Sequence, residues 1–504
     1  MAPDDRYALL TAAEMARCDR AAIVGGVPGE TLMANAGAAV ARAIQGRFSP
    51  RPAVVLCGPG NNGGDGYVVA RLLAGSGWKV TVAAMVPPER LKGDARHHAT
   101  RWRGPTVALA PQALDGATLV VDALFGAGLT RELSGAARAT VEAIGARGLV
   151  AVGVDVPSGV EGDTGAILGA APSCALTVTF FRKKPGHLLL PGRALCGELV
   201  LADIGIPDSA LDTVRPALWE NHPASWRLPR PQVGGHKYSR GHAVIWGGAR
   251  MTGAARLGAR AALRAGAGLA TICCPPEAAA IYQSDWASIL VERVGSAAAF
   301  GRFLDDDRRN AVLVGPGAGI GPETRVLALA ALERGKRIVL DADALTAFAG
   351  DVQTLFVRTG PHCLLTPHDG EFRRLFGAEI AAMAGGKVAR ARAGAAKSGA
   401  VILLKGADTV IAGPDGRATI NANAPPELAT AGAGDVLAGL AVGLMAQGMD
   451  GFDAAAASSW LHGAAACAFG PGLVGDDLPD GIPAALRAAF AAQASAGTGR
   501  GETP

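Results

Sequence analysis

The sequence predicts an α/β fold built on parallel sheets, and three observations predict it. Short β-branched runs alternate with longer helical patterns, the order that parallel strands with helical crossovers require. The runs end in acids, glycines and prolines, as expected where ligands gather beyond the C-terminal ends of parallel strands. A chain of 504 residues allows two or three domains, each with its own core.

In the N-terminal half, Pro52-Ala-Val-Val-Leu-Cys57 reads as a strand, followed by Gly58-Pro-Gly-Asn-Asn-Gly-Gly-Asp-Gly66 and a helix from about Tyr67 to Leu73. Gly58, Gly60 and Gly63 formally match the dinucleotide fingerprint. The next run, Lys79 to Val86, ends in prolines where an acid would hold an adenine ribose. Nucleotide binding by another geometry is therefore expected. The runs Ala117 to Asp122 and Gly148 to Asp155 are strands ending in acids, the second leading into Val-Pro-Ser158. Parallel strands bring Asn62, Asp122, Asp155 and Ser158 to one edge, an all-oxygen set suited to a hard cation. The alternative is that Asp122 and Asp155 only cap the turns that follow.

The C-terminal half repeats the pattern. Ala311-Val-Leu-Val314 runs into Gly-Pro-Gly-Ala-Gly319, Ile338-Val-Leu340 into Asp-Ala-Asp-Ala-Leu345, and Cys363-Leu-Leu365 into Thr-Pro-His-Asp-Gly-Glu371. Ala400 to Gly413 reads as a strand, a Lys-Gly turn and a second strand. Leu428-Ala-Thr-Ala-Gly-Ala-Gly-Asp-Val-Leu then opens into an apolar helix running to about Gln447. Free N–H groups at such a helix start cradle an anion. Asp435, at the same point, is expected to stay ionised and to take a proton from a substrate hydroxyl beside a phosphate. A capped core helix with a flexible glycine entry is the other reading.

Taken in order, His242-Ala-Val-Ile-Trp-Gly-Gly-Ala-Arg-Met-Thr-Gly-Ala-Ala255, the Gly-Pro-Gly-Ala-Gly turn, Asp-Ala-Asp-Ala-Leu, Thr-Pro-His, Lys405-Gly-Ala-Asp-Thr409 and Ala431-Gly-Ala-Gly-Asp-Val-Leu437 resemble the NAD(P)H-hydrate dehydratase family over residues 236–490. The resemblance implies a ribokinase-like α/β domain that dehydrates the (S) form of hydrated NADH or NADPH, using ADP in bacteria. Its ADP/AMP contacts fall on Lys405, Gly406, Ala407, Asp408, Thr409 and Gly434. Its hydrate contacts fall on Ala254, Gly317, His368 and Asp435. Mg2+ is implied with the ADP.

Residues 8–208 are similar to the NAD(P)H-hydrate epimerase family, through Glu14-Met-Ala-Arg-Cys-Asp19, Leu32-Met-Ala-Asn-Ala-Gly37, the Asn-Asn-Gly-Gly-Asp-Gly loop, Asp155-Val-Pro-Ser-Gly159 and Asp203-Ile-Gly-Ile-Pro207. That implies a Rossmann-like three-layer domain with a potassium ion, K+, on Asn62, Asp122 and Ser158. Substrate contacts are implied on Asn61, Asn62, Gly63, Gly64, Asp65, Gly126, Ala127, Gly128, Leu129, Thr130, Arg131, Glu132 and Asp155. Both halves in one chain resemble the bifunctional NAD(P)H-hydrate repair enzymes. The expected organisation is an epimerase domain over 1–212, a Pro-rich linker over 213–235, a dehydratase domain over 236–492 and a disordered tail over 493–504.

The implied chemistry is phosphoryl transfer from ADP to the C6 hydroxyl of the hydrate, with Asp435 as base and the N–H groups of Ala431 to Gly434 holding the migrating charge. In the epimerase half, Asp155 is the first candidate to move protons at C6 and Asp65 the second; ring opening and reversible loss of water both remain open. Asp369 stands where the dehydratase turn usually has Pro, adding a charge beside the hydrate site. Asn421 to Glu427 departs from the usual lead-in. Two other readings fit part of the sequence, a small-molecule kinase and a non-enzymatic nucleotide sensor or scaffold.

Bulk properties narrow the class. A net charge of +4 with no dense basic block argues against nucleic acid as partner. Arg182-Lys-Lys184 reads as a solvated turn, with phosphate contact as the alternative. Eight cysteines without C-x-x-C spacing indicate reduced thiols and no zinc site. No signal peptide or membrane-length apolar run is seen. A cytoplasmic homo-oligomer acting on NADHX, NADPHX and ADP is expected.

Overall fold

The computed structural model describes residues 4–498. The chain divides into two compact units, one from Asp5 to Leu218 and one from Trp219 onward.

The first unit is built on β1 (Ala53–Cys57), β2 (Val80–Ala84), β3 (Thr106–Ala108), β4 (Leu119–Ala123), β5 (Val150–Val154), β6 (Leu176–Phe180) and β7 (Glu198–Ala202). They form one sheet in the order β3-β2-β1-β4-β5-β6-β7, parallel throughout. The central strands β1, β4 and β6 are buried at every position. This is why they read as continuous apolar runs rather than alternating ones. The order reverses between β1 and β4, which pair with Leu56 beside Asp122. A crevice at that reversal is where such sheets bind ligands.

The second unit holds β8 (Leu218–Glu220), β9 (His242–Trp246), β10 (Leu269–Cys274), β11 (Ile289–Arg293), β12 (Ala311–Val314), β13 (Arg337–Leu340), β14 (Cys363–Leu365), β15 (Val401–Leu404), β16 (Thr409–Ala412) and β17 (Ala418–Asn421). Their order is β11-β10-β9-β12-β13-β14-β15-β16-β17-β8. Pairing is parallel from β11 to β15 and antiparallel from β15 to β17. The reversal here lies between β9 and β12.

The helix Ala433–Ala446 is buried from Val436 to Ala446, which a helix apolar on every face requires. It lies against the helix Thr252–Arg264 through facing small residues. A Cβ added at Gly439 would stand 2.3 Å from the Gly258 carbonyl oxygen, and one at Gly443 would stand 2.7 Å from the Ala262 Cα. Backbone approach this close sets where the first turn of the helix points.

Three expectations need correction. The helix after β1 spans Asn61–Gly75 rather than starting near Tyr67, so the polar Asn-Asn-Gly-Gly-Asp-Gly stretch is its first turns and not a loop. Glycine's poor helix propensity suggested a loop, but Gly63, Gly64 and Gly66 are all buried by packing. The stretch read as a linker, 213–235, carries β8, and the Asn221 N–H donates to the Ile420 carbonyl at 2.8 Å. Asn221 Oδ1 also accepts from the buried Trp226 indole at 2.9 Å. The tail read as disordered from 493 begins inside the helix Leu478–Thr498, where Gln493 donates to the Trp226 carbonyl at 2.9 Å; residues 499–504 lie outside the described residues. Among the described residues no helix is long and apolar enough to cross a membrane.

Gly439→Ala is expected to destabilise the second unit by roughly 1–3 kcal/mol through overpacking, against alanine's helix advantage of about 1 kcal/mol. Gly253 lies at the start of the facing helix, and a Cβ there meets nothing within 4 Å. Gly253→Ala is expected to stabilise; thermal unfolding of both variants checks the opposite signs.

Candidate active sites

In the first unit the chain leaves β1 through Gly58, where an added Cβ would stand 1.7 Å from the Leu124 carbonyl oxygen. Gly63 is as restricted, 2.0 Å from the Gly58 oxygen. These contacts press the start of the helix Asn61–Gly75 against the loop that follows β4. A cavity of about 570 Å³ opens there, lined by Asn61, Asn62, Asp65, Gly126 to Arg131 and Asp155 among the expected residues. Gly63 and Gly64 do not line it; they serve packing. Glu132 is exposed and does not line it either.

Asp122 and Ser158 lie deeper, both fully buried. Ser158 Oγ donates to Asp122 Oδ1 at 2.6 Å, and the Ser158 N–H donates to Oδ2 at 2.7 Å. Ser158 Oγ also accepts the Phe125 N–H at 2.9 Å. Burial pushes the Asp122 carboxyl upward against these hydrogen bonds, and no described cationic side chain pairs with it. Asn62 Nδ2 is buried without a hydrogen-bond partner among the described residues. A buried anion, a hydroxyl and an amide oxygen suit a hard monovalent cation.

Asp155 stands at the end of β5 with φ +67°, a conformation a non-glycine residue keeps only when its surroundings hold it. Four contacts do so. Oδ1 accepts from Lys184 Nζ at 2.7 Å and Thr179 Oγ1 at 3.0 Å. Oδ2 accepts the Ala127 N–H at 3.0 Å, and the Asp155 carbonyl accepts from His187 Nε2 at 2.7 Å. Burial would raise the Asp155 carboxyl, but Lys184 and these hydrogen bonds outweigh it and hold it at about 2. Burial also keeps His187 neutral, at about 4; its Nδ1 accepts the Lys184 N–H at 2.9 Å.

Lys184 corrects the solvated-turn reading, since it is 2% exposed and lines the cavity. Arg182 is buried too, tied to Asp208 at 2.6 Å and to the Asp5 carbonyl at 2.8 Å. Two other acids line the cavity near this pair. Burial, then the charges of Asp155 and Asp19, push Asp65 well above the usual carboxylate range. Burial likewise lifts Asp19 to about 6. Asp155 is therefore held ionised, while Asp65 and Asp19 bind a proton more tightly than a free carboxyl.

In the second unit, the helix Ala433–Ala446 follows Gly432, whose φ of +85° only glycine adopts freely. Of the expected cradle Ala431 to Gly434, the Ala433 N–H donates to the Thr430 carbonyl at 3.5 Å, while among the described residues the N–H groups of Gly434 and Asp435 donate to no backbone carbonyl. Lys405 Nζ lies 3.9 Å from where a Gly434 Cβ would stand. It donates to the buried Asp341 at 2.6 Å and lies 3.8 Å from Glu371. Burial would weaken the ammonium, but Asp341, Glu371 and Asp435 keep it charged. Asp435 is not the strongly ionised acid the helix dipole alone suggests; burial, then Asp341, push it up to about 6. That suits a base working near neutral pH.

The other expected residues separate by role. Gly317 has φ +66°, and an added Cβ would lie 2.5 Å from the Met251 carbonyl oxygen. Ala254 is largely buried in the facing helix. His368 caps the helix Asp369–Ala381, its Nδ1 accepting the Gly370 N–H at 2.9 Å while its own N–H donates to Glu371 at 2.9 Å. Its side chain stays 54% exposed, with Nε2 lying 3.4 Å from Glu371 Oε1. In the Lys405–Thr409 turn, the Thr409 hydroxyl donates to the Gly406 carbonyl at 2.7 Å. Asp408 pairs with Lys387 at 2.6 Å, so its carboxylate braces the turn. Ala407 lies in the same turn. Asp369 is met by Arg390 at 3.0 Å, which offsets the charge the sequence adds there. Asn421 and Asn423 are structural: Asn421 donates to Asn423 at 2.9 Å, which donates to the Trp460 carbonyl at 2.9 Å.

Family models match both units: the YjeF-related protein N-terminus over residues 29–186 and NAD(P)H-hydrate dehydratase over residues 242–471. A bifunctional NAD(P)H-hydrate repair enzyme of Thermofilum pendens is 38% identical, over 92% of this chain and 93% of its own. The chain belongs to this family. A repair enzyme of Moorella thermoacetica is 39% identical over 91% of both chains. An ADP/ATP-dependent NAD(P)H-hydrate dehydratase from Bacillus subtilis, crystallised with ATP and Mg2+, is 28% identical with a TM-score of 0.47, covering 54% of this chain and 98% of its own. The two units thus correspond to the two halves of a bifunctional NAD(P)H-hydrate repair enzyme, each with its own family match.

Sequence reasoning missed Asp19, Lys184 and His187 in the first site and Asp341 and Glu371 in the second. Asp19 and Asp341 stood inside motifs; Lys184 was hidden by two basic neighbours. The folded Asp435 binds its proton more tightly than the unfolded chain does, so it costs stability as pH rises from about 4 through about 6. Asp435→Asn is expected to raise the melting temperature near pH 7.5, by at most about 3 kcal/mol of stability. The gain should vanish near pH 4; an equal gain at both pH values would contradict the shifted carboxyl.

Proposed function

We propose that this repair enzyme interconverts (R)- and (S)-NAD(P)HX in the first unit and dehydrates (S)-NAD(P)HX in the second, with ADP converted to AMP and phosphate. The observation that carries the second activity is Asp435 beside unoccupied N–H donors and a charged Lys405. Asp435 takes the proton of the C6 hydroxyl, and that oxygen receives the β-phosphoryl group of ADP. The N–H groups of Gly434 and Asp435, with Lys405, hold the transferring charge. Phosphate then leaves, which hydroxide could not readily do, and loss of a C5 proton completes the double bond. Gly317, Ala254 and His368 hold the hydrate, and the Lys405–Thr409 turn holds the nucleotide.

Asp341, Glu371 and Asp435 around one lysine make this site too acidic for a bare diphosphate. Mg2+ carried on the diphosphate fits, held chiefly by phosphate oxygens. In the first unit, Asn62, Asp122 and Ser158 fit K+, whose charge would balance the buried Asp122 carboxylate when bound. Asp65 donates the proton at C6, while Asp155, held ionised by Lys184, favours positive charge on the ring. This reverses the order of the two candidates expected from sequence. Arg131, exposed on the cavity wall, is placed to meet a substrate phosphate. Cysteines that are all unpaired, and buried apart from Cys467, support a cytoplasmic setting. A homo-oligomer is carried forward, to be checked by light scattering.

Absorbance at 340 nm tests the whole reading. An (R)/(S) NADHX mixture with ADP is expected to return fully to NADH; a halt at the (S) fraction would refute the epimerase assignment, and no recovery with ADP or ATP would refute both. Asp435→Asn is expected to slow dehydration by about 10²–10⁴-fold and to leave epimerisation intact.

A further inference from the structure

We infer that Asp19 is a catalytic residue of the epimerase site, the second of two carboxyls between which a proton is exchanged as C6 inverts. The inference rests on the epimerase reading of the first unit. The helix Ala12–Val24 places Asp19 on the cavity wall with Asp65, Asp155 and Lys184. Inversion at a carbon bearing a hydroxyl requires a group that gives a proton and a group that takes one. Asp155 can do neither readily, because Lys184, Thr179 and the Ala127 N–H occupy both its oxygens.

Asp19 and Asp65 differ from it. Neither makes a hydrogen bond or ion pair with any described residue, so both carboxyls are left to the cavity. Asp94 also lines the wall, but the charges acting on Asp65 are those of Asp155, Asp19 and Lys184. The charges acting on Asp19 are those of Lys184, Asp155 and Arg20. Asp19 and Asp65 therefore line one cavity in the field of Asp155 and Lys184, and the Asp19 charge favours the protonated form of Asp65.

The step then balances. The protonated carboxyl gives its proton to the C6 hydroxyl, the C6–O bond breaks, water leaves, and the N1 lone pair forms the C6–N1 double bond. A water molecule adds to C6 with the opposite configuration, the N1 lone pair is restored, and the added water's proton passes to the other carboxylate. The net change is one proton moved between Asp65 and Asp19. Before the next (R) substrate is taken up, the proton returns from Asp19 to Asp65 through water in the cavity, so no external acid or base is consumed overall. Asp155 supplies the negative charge that the cationic ring needs between these events.

The test uses the full chain, with (R)-NADHX and ADP, following both NADH formation and solvent ¹⁸O in recovered hydrate. Asp19→Asn is expected to lower epimerisation at least about 100-fold with dehydration of (S)-NADHX unchanged, and Asp19→Glu to restore most of the loss. Wild-type inversion is expected to bring in one solvent oxygen. Asn and Glu variants that are equally active or equally inactive would overturn the role of Asp19, and inversion with retention of the substrate oxygen would overturn the exchange. A wild-type chain that dehydrates (S) but never converts (R) would instead refute the epimerase reading itself.

Discussion

A lysine–aspartate pair with at least one buried partner, at the end of a parallel strand, organises each unit. Lys184 meets Asp155 at 2.7 Å, and Lys405 meets Asp341 at 2.6 Å. Such a pair adds little net stability over an apolar substitute, yet removing one partner leaves a buried charge and costs about 3–5 kcal/mol. Its value here lies in what it does to neighbours. Each lysine commits itself to one acid and leaves others in the same apolar crevice only partly compensated. Asp65 and Asp19 in the first unit and Asp435 in the second are pushed upward for that reason. Carboxyls that bind a proton tightly are thus made by burying them and withholding a partner.

The backbone is bent to the same end in both units. Asp155 has φ +67°, and Ala342, between Asp341 and Asp343, has φ +46°. Neither is glycine, so both conformations are held by surrounding contacts. At Asp155 the holding contacts are the same hydrogen bonds that keep its carboxylate ionised. At Ala342 the strain separates two acids that face different tasks: Asp341 binds Lys405, while Asp343 accepts the Gly319 N–H at 2.8 Å and so fixes the Gly-rich turn after β12.

Much of this was legible in the sequence, because strand ends in a parallel sheet are adjacent in chain and in space. Asp122, Asp155, Lys405 and Asp435 announce themselves as polar residues closing apolar runs. What stayed hidden depended on long-range partners. Lys184 looked solvated among Arg182 and Lys183, since nothing local says that Asp155 lies opposite. The role of Asp408 changed for a similar reason: only the fold shows Lys387 occupying its carboxylate. The helix at Asn61 was obscured because propensity favours a loop there, while burial of its glycines against β1 and the β4 loop decides otherwise. The kinase reading, which fitted the second unit's motifs, fails on the first unit, whose family match it leaves without a role.

The remaining connection is between the buried Asp122–Ser158 pair and the acids of the cavity, which one segment joins. Asp155 Oδ2 accepts the Ala127 N–H, and Ser158 Oγ accepts the Phe125 N–H. Residues 155–158 therefore grip the 124–131 loop at two points three residues apart in their own chain. One grip faces the cavity; the other faces the buried Asp122. A cation that shifted Ser158 would be felt at Ala127, because the loop between the two grips is too short to absorb the change. The Asn62 amide, buried and unpartnered on Nδ2, touches the same loop: its Oδ1 would lie 3.3 Å from a Cβ at Gly126. The position of Ser158 and the shape of the cavity are consequently coupled through this loop.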